Sequence, residues 1–118
     1  MPLQTTPLYP VHLKYKGQMI DFGGWELPVQ YEGMGIIKEH HMVRNSAGLF
    51  DVSHMGEIMI TGEQAEGLVQ KLICNDLSTI GDFQVLYSPM CYPHGGVVDD
   101  LLIYRYDPAK FLLVVNAA

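Results

Sequence analysis

Asp99 and Asp100 follow one another inside an apolar run, with Val97-Val98 before them and Leu101-Leu102 after. Successive residues of a strand point to opposite faces, so one of the two carboxylates must lie on the less solvated side. An ionised carboxylate there is costly unless something hydrogen-bonds it. A bound cationic or amine-bearing ligand would supply that partner. So would an Arg or backbone amides, with the other Asp capping the turn after Gly96, and the residue pattern alone leaves both readings open.

Ser53-His54-Met55 falls in a loop between strand-like segments, where a rigid scaffold often holds functional side chains. His54 has the chemistry of an acid or base near neutral pH, but no Ser or Cys nucleophile stands at a spacing that suggests a triad, and a turn-stabilising role suits it equally. His40 and His41 are neighbours on a helical stretch and cannot face the same way, so joint metal ligation is not signalled. The pattern predicts His40 packed and His41 solvated. Cys74 and Cys91 show no metal-ligand or disulfide spacing and read as small apolar residues in a reducing compartment. The glycines form neither a dinucleotide fingerprint nor a phosphate loop. Tyr87 could stack on a planar heterocycle, although strand tyrosines more often fill cores.

These residues must be positioned by a chain of 118 residues, which has room for one domain of residues 1–118 with its own core. Seven Lys and Arg stand against thirteen Asp and Glu, for a formal net charge of −6, and the bases are not clustered. Nothing here resembles the footprint that neutralises a phosphate backbone, so nucleic acid is not an expected partner. No basic segment followed by an apolar run opens the sequence, and no apolar stretch approaches the ~20 residues that span a bilayer. A cytoplasmic protein without a membrane partner is expected.

Thr6 and Pro7 read as the start of a helix to Tyr15, with Leu8, Val11 and Tyr15 on its packed face and Gly17 as its stop. Met19–Phe22 and Leu27–Tyr31 read as strands around Gly23-Gly24. Met34–Ser46 reads as a second helix, Leu49–Val52 and Glu57–Thr61 as strands, and Gly62-Glu63 as the opening of a third helix through Ala65, Leu68, Val69, Leu72 and Ile73, with Asn75 able to take the left-handed conformation at its end. Gln84–Cys91, Val97–Tyr106 and Lys110–Val115 complete the strands, the last two as an antiparallel hairpin through Asp107-Pro108. The predicted class is mixed α+β, a largely antiparallel sheet with about three helices.

Four segments taken together carry a resemblance: Met19-Ile-Asp-Phe-Gly-Gly-Trp-Glu-Leu-Pro-Val-Gln-Tyr31, Gly48-Leu-Phe-Asp-Val-Ser-His-Met-Gly-Glu57, Gly95-Gly-Val-Val-Asp-Asp-Leu-Leu-Ile-Tyr104 and Leu113-Val-Val-Asn-Ala-Ala118. In this order they resemble the aminomethyltransferase, or T-protein, family of the glycine cleavage system. The likeness implies the N-terminal, folate-binding-type domain of a longer protein. It also implies transfer of an aminomethyl group from the lipoyl arm of a carrier H-protein to tetrahydrofolate, with release of ammonia. Asp100 matches the family's catalytic Asp, and Met55, Tyr87, Asp100, Val115 and Asn116 match segments lining its folate cavity. No metal is implied. Pro89 and Tyr92-Pro-His94 depart from the family's usual residues.

The family's cavity is assembled from several domains, so this chain alone is expected to be inactive. Related alternatives are a non-catalytic folate-binding protein of iron–sulfur cluster maintenance and a folate-dependent demethylase. The apolar segment Phe111–Val115 is expected to form an exposed strand edge that pairs with another copy, giving a homo-oligomer.

Overall fold

Gly23 and Gly24 both take positive φ, 61° and 89°, the backbone that a two-residue hairpin turn demands and that glycine adopts without strain. The turn joins β1 (Gly17–Phe22) to β2 (Trp25–Tyr31) as an antiparallel pair, and the Asp21 carboxylate fastens it by accepting from the Gly24 N–H at 2.8 Å. The computed structural model describes residues 2–117, which divide into two compact units, one up to His54 and one from Met55 to Ala117. Three α-helices and two antiparallel sheets confirm the mixed α+β class.

In the first unit, α1 (Tyr9–Lys14) is shorter than the sequence suggests, and its buried face is different. Leu8, Val11 and Tyr15 are exposed, whereas His12 is buried. Thr6 caps nothing, because its hydroxyl donates instead to Asp51 at 2.6 Å. The chain leaves α1 through Lys16, whose φ is 57°, and Gly17 already belongs to β1. Its lack of a side chain serves packing, since a Cβ would lie 2.9 Å from Pro28 Cβ.

A buried polar cluster explains this arrangement. His12 donates from Nε2 to the acceptor-only carboxylate of Asp51 at 2.7 Å, and its Nδ1 meets the Tyr31 hydroxyl at 2.7 Å. Asp51 also accepts from the Ser53 N–H at 3.0 Å, and its side chain is only 4% exposed. The cluster ties α1 and β2 to the segment around residue 51, which therefore runs as an irregular stretch and not as the expected strand Leu49–Val52. Burial opposes ionisation of Asp51, but the donors from Ser53, Thr6 and His12 outweigh it and hold the carboxyl well below the usual carboxylate range. Burial, with the charges of Glu39 and Asp51, pushes the Tyr31 phenol up.

α2 (Gly35–Asn45) matches the expected helix but buries none of its residues. His40 is exposed, not packed, and its ring meets that of His41 edge-on at 5.7 Å. Ile36, Ile37 and Val43 are likewise exposed.

The second unit is a four-stranded antiparallel sheet in the order β3 (Gly56–Thr61), β6 (Lys110–Val115), β5 (Val97–Asp107), β4 (Val85–Cys91). Alternation along β5 and β6 puts Leu101, Ile103, Phe111 and Leu113 on one face. Ala65, Val69 and Ile73, four apart, pack with them from α3 (Ala65–Leu72) and the residue after it, and Leu77 from a single 3-10 turn completes the core. Arg105 joins the layers, donating to Glu66 on α3 at 2.8 Å and to Asp82 at 3.0 Å, with its guanidinium 5.9 Å from the Phe111 ring centre. The β5–β6 hairpin forms as expected, its turn held by the Asp107 carboxylate on the Ala109 N–H at 2.7 Å. Asn75 does not end α3 in a left-handed turn; its amide donates to the Tyr87 carbonyl at 2.8 Å. β6 is hydrogen-bonded on both sides and Phe111 is fully buried, so the edge from which strand addition was expected does not exist. Among the described residues, no helix is long and apolar enough to cross a membrane.

Trp25, the single tryptophan, reports on the first unit. Asp51→Ala leaves the Thr6 hydroxyl and His12 without their shared acceptor and is expected to cost about 3 kcal/mol, read by tryptophan fluorescence in a denaturant titration. Because folding lowers the Asp51 pKa, its contribution is present above the unfolded carboxyl value, about 4, and is lost as pH falls through the folded value. The denaturation midpoint should therefore fall on acidification below about pH 4 in the wild type. Asp51→Asn should show a smaller acid loss, and an equal loss in both would place the effect elsewhere.

Candidate functional site

The register of the second unit lines up most of the residues singled out in the sequence. Tyr87 on β4 faces Leu102 on β5, and Leu102 faces Val114 on β6. Two residues along, Pro89 faces Asp100, and the same register carried one step past β6 sets Asn116 beside Asp100. Carried across β6, where Gly56 pairs with Val115, it sets Met55 opposite Asn116. Tyr87, Asp100 and Asn116 thus meet at one end of the sheet, and Met55 directly precedes β3 at that end.

Val115 is separated from this group. Its parity matches Leu113 and Leu101, and it packs against the core cluster, with Cγ2 just 2.8 Å from where a Cβ on Gly56 would stand.

Alternation divides the acidic pair as expected: Asp99 is half-buried and Asp100 exposed. Within the chain the partner of Asp99 is not an Arg; it is the Asn116 side chain together with backbone amides, the latter as one of the two readings expected. The Asn116 amide donates to Asp99 Oδ1 at 2.8 Å, and the Asn116 and Asp100 N–H groups donate to Asp99 at 3.1 and 2.9 Å. The Asn116 side-chain hydrogen bond leads in holding the Asp99 carboxyl below its ordinary range, against the opposing effect of burial.

Asp100 keeps its carboxylate on the open side. Tyr87 Oη donates to its Oδ2 at 2.7 Å, and Asn116 Nδ2 approaches its Oδ1 at 3.1 Å and its carbonyl at 3.0 Å. Two N–H bonds on Nδ2 are shared among three acceptors, so Asn116 acts as a clip across both aspartates. The hydrogen bond to Asp100 is the chief cause that pushes the Tyr87 phenol above its usual value, so Tyr87 stays a donor at neutral pH.

Tyr87 is 57% exposed, which removes it from the core role usual for a strand tyrosine. Half-exposed Leu102, Tyr104, Leu112 and Val114 share its face of the sheet. The arrangement offers an anchored anion beside a flat, partly apolar surface. It can accept hydrogen bonds from, or offset positive charge on, a nitrogen-bearing planar group.

β4 is held in place from behind. Ser88, fully buried, accepts the Cys74 and Asn75 N–H groups on its hydroxyl at 3.2 and 3.0 Å. Neither Ser88 nor Asn75 stood out as part of a site in the sequence, since nothing local marks a serine whose donors lie 13 and 14 residues away. The Thr6–His12–Asp51–Tyr31 cluster of the first unit was equally hidden; its one sequence signal is His12, four residues from Leu8 on a short helix. His54 belongs to that first unit. Its ring lies 6.0 Å from Phe22, edge-on, and 6.1 Å from Trp25, and its buried Nδ1 has no hydrogen-bond partner.

Fold and site together define an α+β domain that displays a clipped aspartate pair at the end of an antiparallel sheet. Residues 8–118 match the family model described as the GCVT N-terminal domain, and the chain belongs to that family. It is 60% identical over 116 residues to an aminomethyltransferase of Thermoanaerobacter pseudethanolicus and 58% identical to one of Desulfitobacterium hafniense, covering 98% of this chain and 31% of each relative. The crystal structure of the glycine cleavage system aminomethyltransferase T from Bartonella henselae superposes with a TM-score of 0.86 at 36% identity, over 98% of this chain and 32% of that one. The chain thus spans about a third of the length of the relatives it matches.

The Tyr87–Asp100 hydrogen bond can be tested by ultraviolet titration of the tyrosines, with Tyr87 isolated as the difference between the chain and its Tyr87→Phe variant. The Tyr87 midpoint is expected above the ordinary tyrosine value of about 10 and should return toward it in Asp100→Asn. A midpoint that ignores the Asp100 substitution would remove the contact.

Proposed function

We propose that this chain supplies the catalytic carboxylate, Asp100, of a tetrahydrofolate-dependent aminomethyltransferase of the glycine cleavage system. The observation that carries the reading is the exposed Asp100 carboxylate, braced by Tyr87 on one oxygen and Asn116 on the other, at the end of a partly apolar sheet face. Family membership and the printed names of the relatives support it.

In this reading the folate ring system lies against the face around Tyr87, and Met55 borders it. Val115 contributes backbone only, since its side chain turns to the core. Asp100 positions a folate nitrogen for attack on the aminomethyl carbon and offsets the positive charge that develops there. As two folate nitrogens bond to the carbon, its bonds to the lipoyl sulfur and to the amine break, and the two folate N–H protons pass to these leaving groups, so that the arm leaves as dihydrolipoyl on the carrier H-protein, ammonia departs and methylene-tetrahydrofolate is formed. Tyr87 and Asn116 act as positioning residues by fixing the carboxylate, which spares reorganisation as charge appears. The setting is cytoplasmic. Because the chain spans only part of its relatives, we assign the full reaction to the longer protein and none of it to residues 1–118 alone.

The test replaces the matched segment of the Thermoanaerobacter pseudethanolicus aminomethyltransferase with this chain. The chimera is expected to form methylene-tetrahydrofolate from tetrahydrofolate and aminomethyl-loaded carrier. Asp100→Asn in it should lower kcat by roughly 100-fold or more with unchanged circular dichroism. Tyr87→Phe should lower kcat less. Turnover unaffected by Asp100→Asn would remove the carboxylate from catalysis, and product formed by the 118-residue chain alone would overturn its inactivity.

A further inference from the structure

Asp99 is the half-buried member of the acidic pair, and the reaction proposed above gives it no part. Its carboxylate accepts three N–H groups: the Asn116 side-chain amide and the Asp100 main chain on Oδ1, at 2.8 and 2.9 Å, and the Asn116 main chain on Oδ2 at 3.1 Å. All three donors are uncharged, and each belongs to Asp100 or to the residue that clips it. Two are main-chain groups, whose directions the backbone fixes, so they set the Asp99 carboxylate in place. The third sits on an exposed side chain that is free to turn unless something holds it. The same Nδ2 lies 3.1 Å from Asp100 Oδ1, so whatever fixes the amide also decides whether Asp100 meets its donor end or its oxygen. Asp99 is suited to that task, being anchored from the main chain and half out of water, where solvent competes less for the hydrogen bond. Both of its oxygens must accept, because an N–H arrives at each; an asparagine there would set an NH2 group against one of them.

We propose that Asp99 is a positioning residue for Asp100: by accepting from Asn116 Nδ2 it turns the amide with its donor end toward the Asp100 carboxylate. Asp99 acts through Asn116, from the opposite side of β5. Its effect on turnover rests on the catalytic reading of Asp100, whereas its hold on the Asn116 amide does not. The Asn116 side-chain hydrogen bond leads in keeping the Asp99 carboxyl below its ordinary range, so the anchor is charged at neutral pH.

The anchor is read in the 118-residue chain by proton–nitrogen NMR, with the Asn116 side-chain amide identified by its loss in Asn116→Ala. Its protons are expected to exchange with solvent about tenfold more slowly than those of a free amide; Asp99→Asn should remove that protection and Asp100→Asn should keep most of it. The Asn116 Nδ2 shifts should also move on acidification, in the wild type and in Asp100→Asn alike, with a midpoint below the ordinary aspartate value of about 3.9. In the chimera that carries this chain, Asp99→Asn should lower kcat about tenfold, less than Asp100→Asn, and leave the tetrahydrofolate KM within about twofold. In an Asn116→Ala background the same substitution should change kcat by less than about twofold, because the amide through which it acts is gone. Unprotected amide protons in the wild type, shifts that ignore acid, protection that survives Asp99→Asn, or equal losses of kcat with and without Asn116 would each overturn the proposal. Turnover indifferent to Asp100→Asn, with protection lost in Asp99→Asn, would overturn the catalytic reading and uphold the anchor.

Discussion

The period-two alternation of β5 governs the arrangement of the candidate site. It sends the half-buried Asp99 and the exposed Asp100 to different surroundings although they are neighbours in sequence. A carboxylate on the inner side must find donors or forgo its charge, and an exposed one gains position only if something holds it. A single residue, Asn116, answers both needs, reaching Asp99 with its backbone and side chain and Asp100 with the same amide. It can do so because β6 lies beside β5, so that the residue just past the end of β6 falls level with the pair. The hairpin turn at Asp107 thereby sets the register of a site at the opposite end of the strands.

Polar groups hold each unit in a different way. In the first, a nearly solvent-free Asp51 carboxylate takes donors from three parts of the chain, and helix, hairpin and irregular segment converge on it. Such a cluster fixes geometry more than it adds stability, since taking the charge out of water offsets much of what the hydrogen bonds return. In the second, apolar layers do most of the work, and Arg105 locks helix to sheet at the margin of the core. Ser88 plays the corresponding part behind β4, satisfying two backbone amides inside the fold.

The sheet of the second unit was legible in the sequence almost to the residue, because its strands are short apolar runs rich in Val, Ile, Leu and Tyr, punctuated by Asp-Pro and Gly-Gly turns. The glycine hairpin of the first unit and the extent of α2 were legible for similar local reasons. Helix facing was not. α1 turns His12 inward, and α2 leaves Ile36, Ile37 and His40 exposed, because the choice of buried face belongs to the partner surface and not to the helix. Leu49–Val52 has the composition of a strand but no strand beside it, and Asp51 is engaged by α1. At the site, the acidic pair and Tyr87 could be found from residue type and position, and the resemblance added Asn116 and Met55. The reversal of Val115 toward the core follows from register.

The sequence by itself determined which residues become strands in the second unit, that one of two adjacent aspartates would need a partner, and the family to which the chain belongs. These follow from local preferences and from motifs carried in order along the chain. Only the tertiary structure decided that the partner is Asn116, that Tyr87 stands exposed with its hydroxyl on Asp100, and that β6 lies inside the sheet. The side-chain pairs among these stand at least 13 positions apart, and β6 is interior because β3, far earlier in the chain, pairs with its other edge. The reason is physical: a side chain's type states what it needs, but the residue that meets the need is set by strand register and burial, which exist only once the chain has folded.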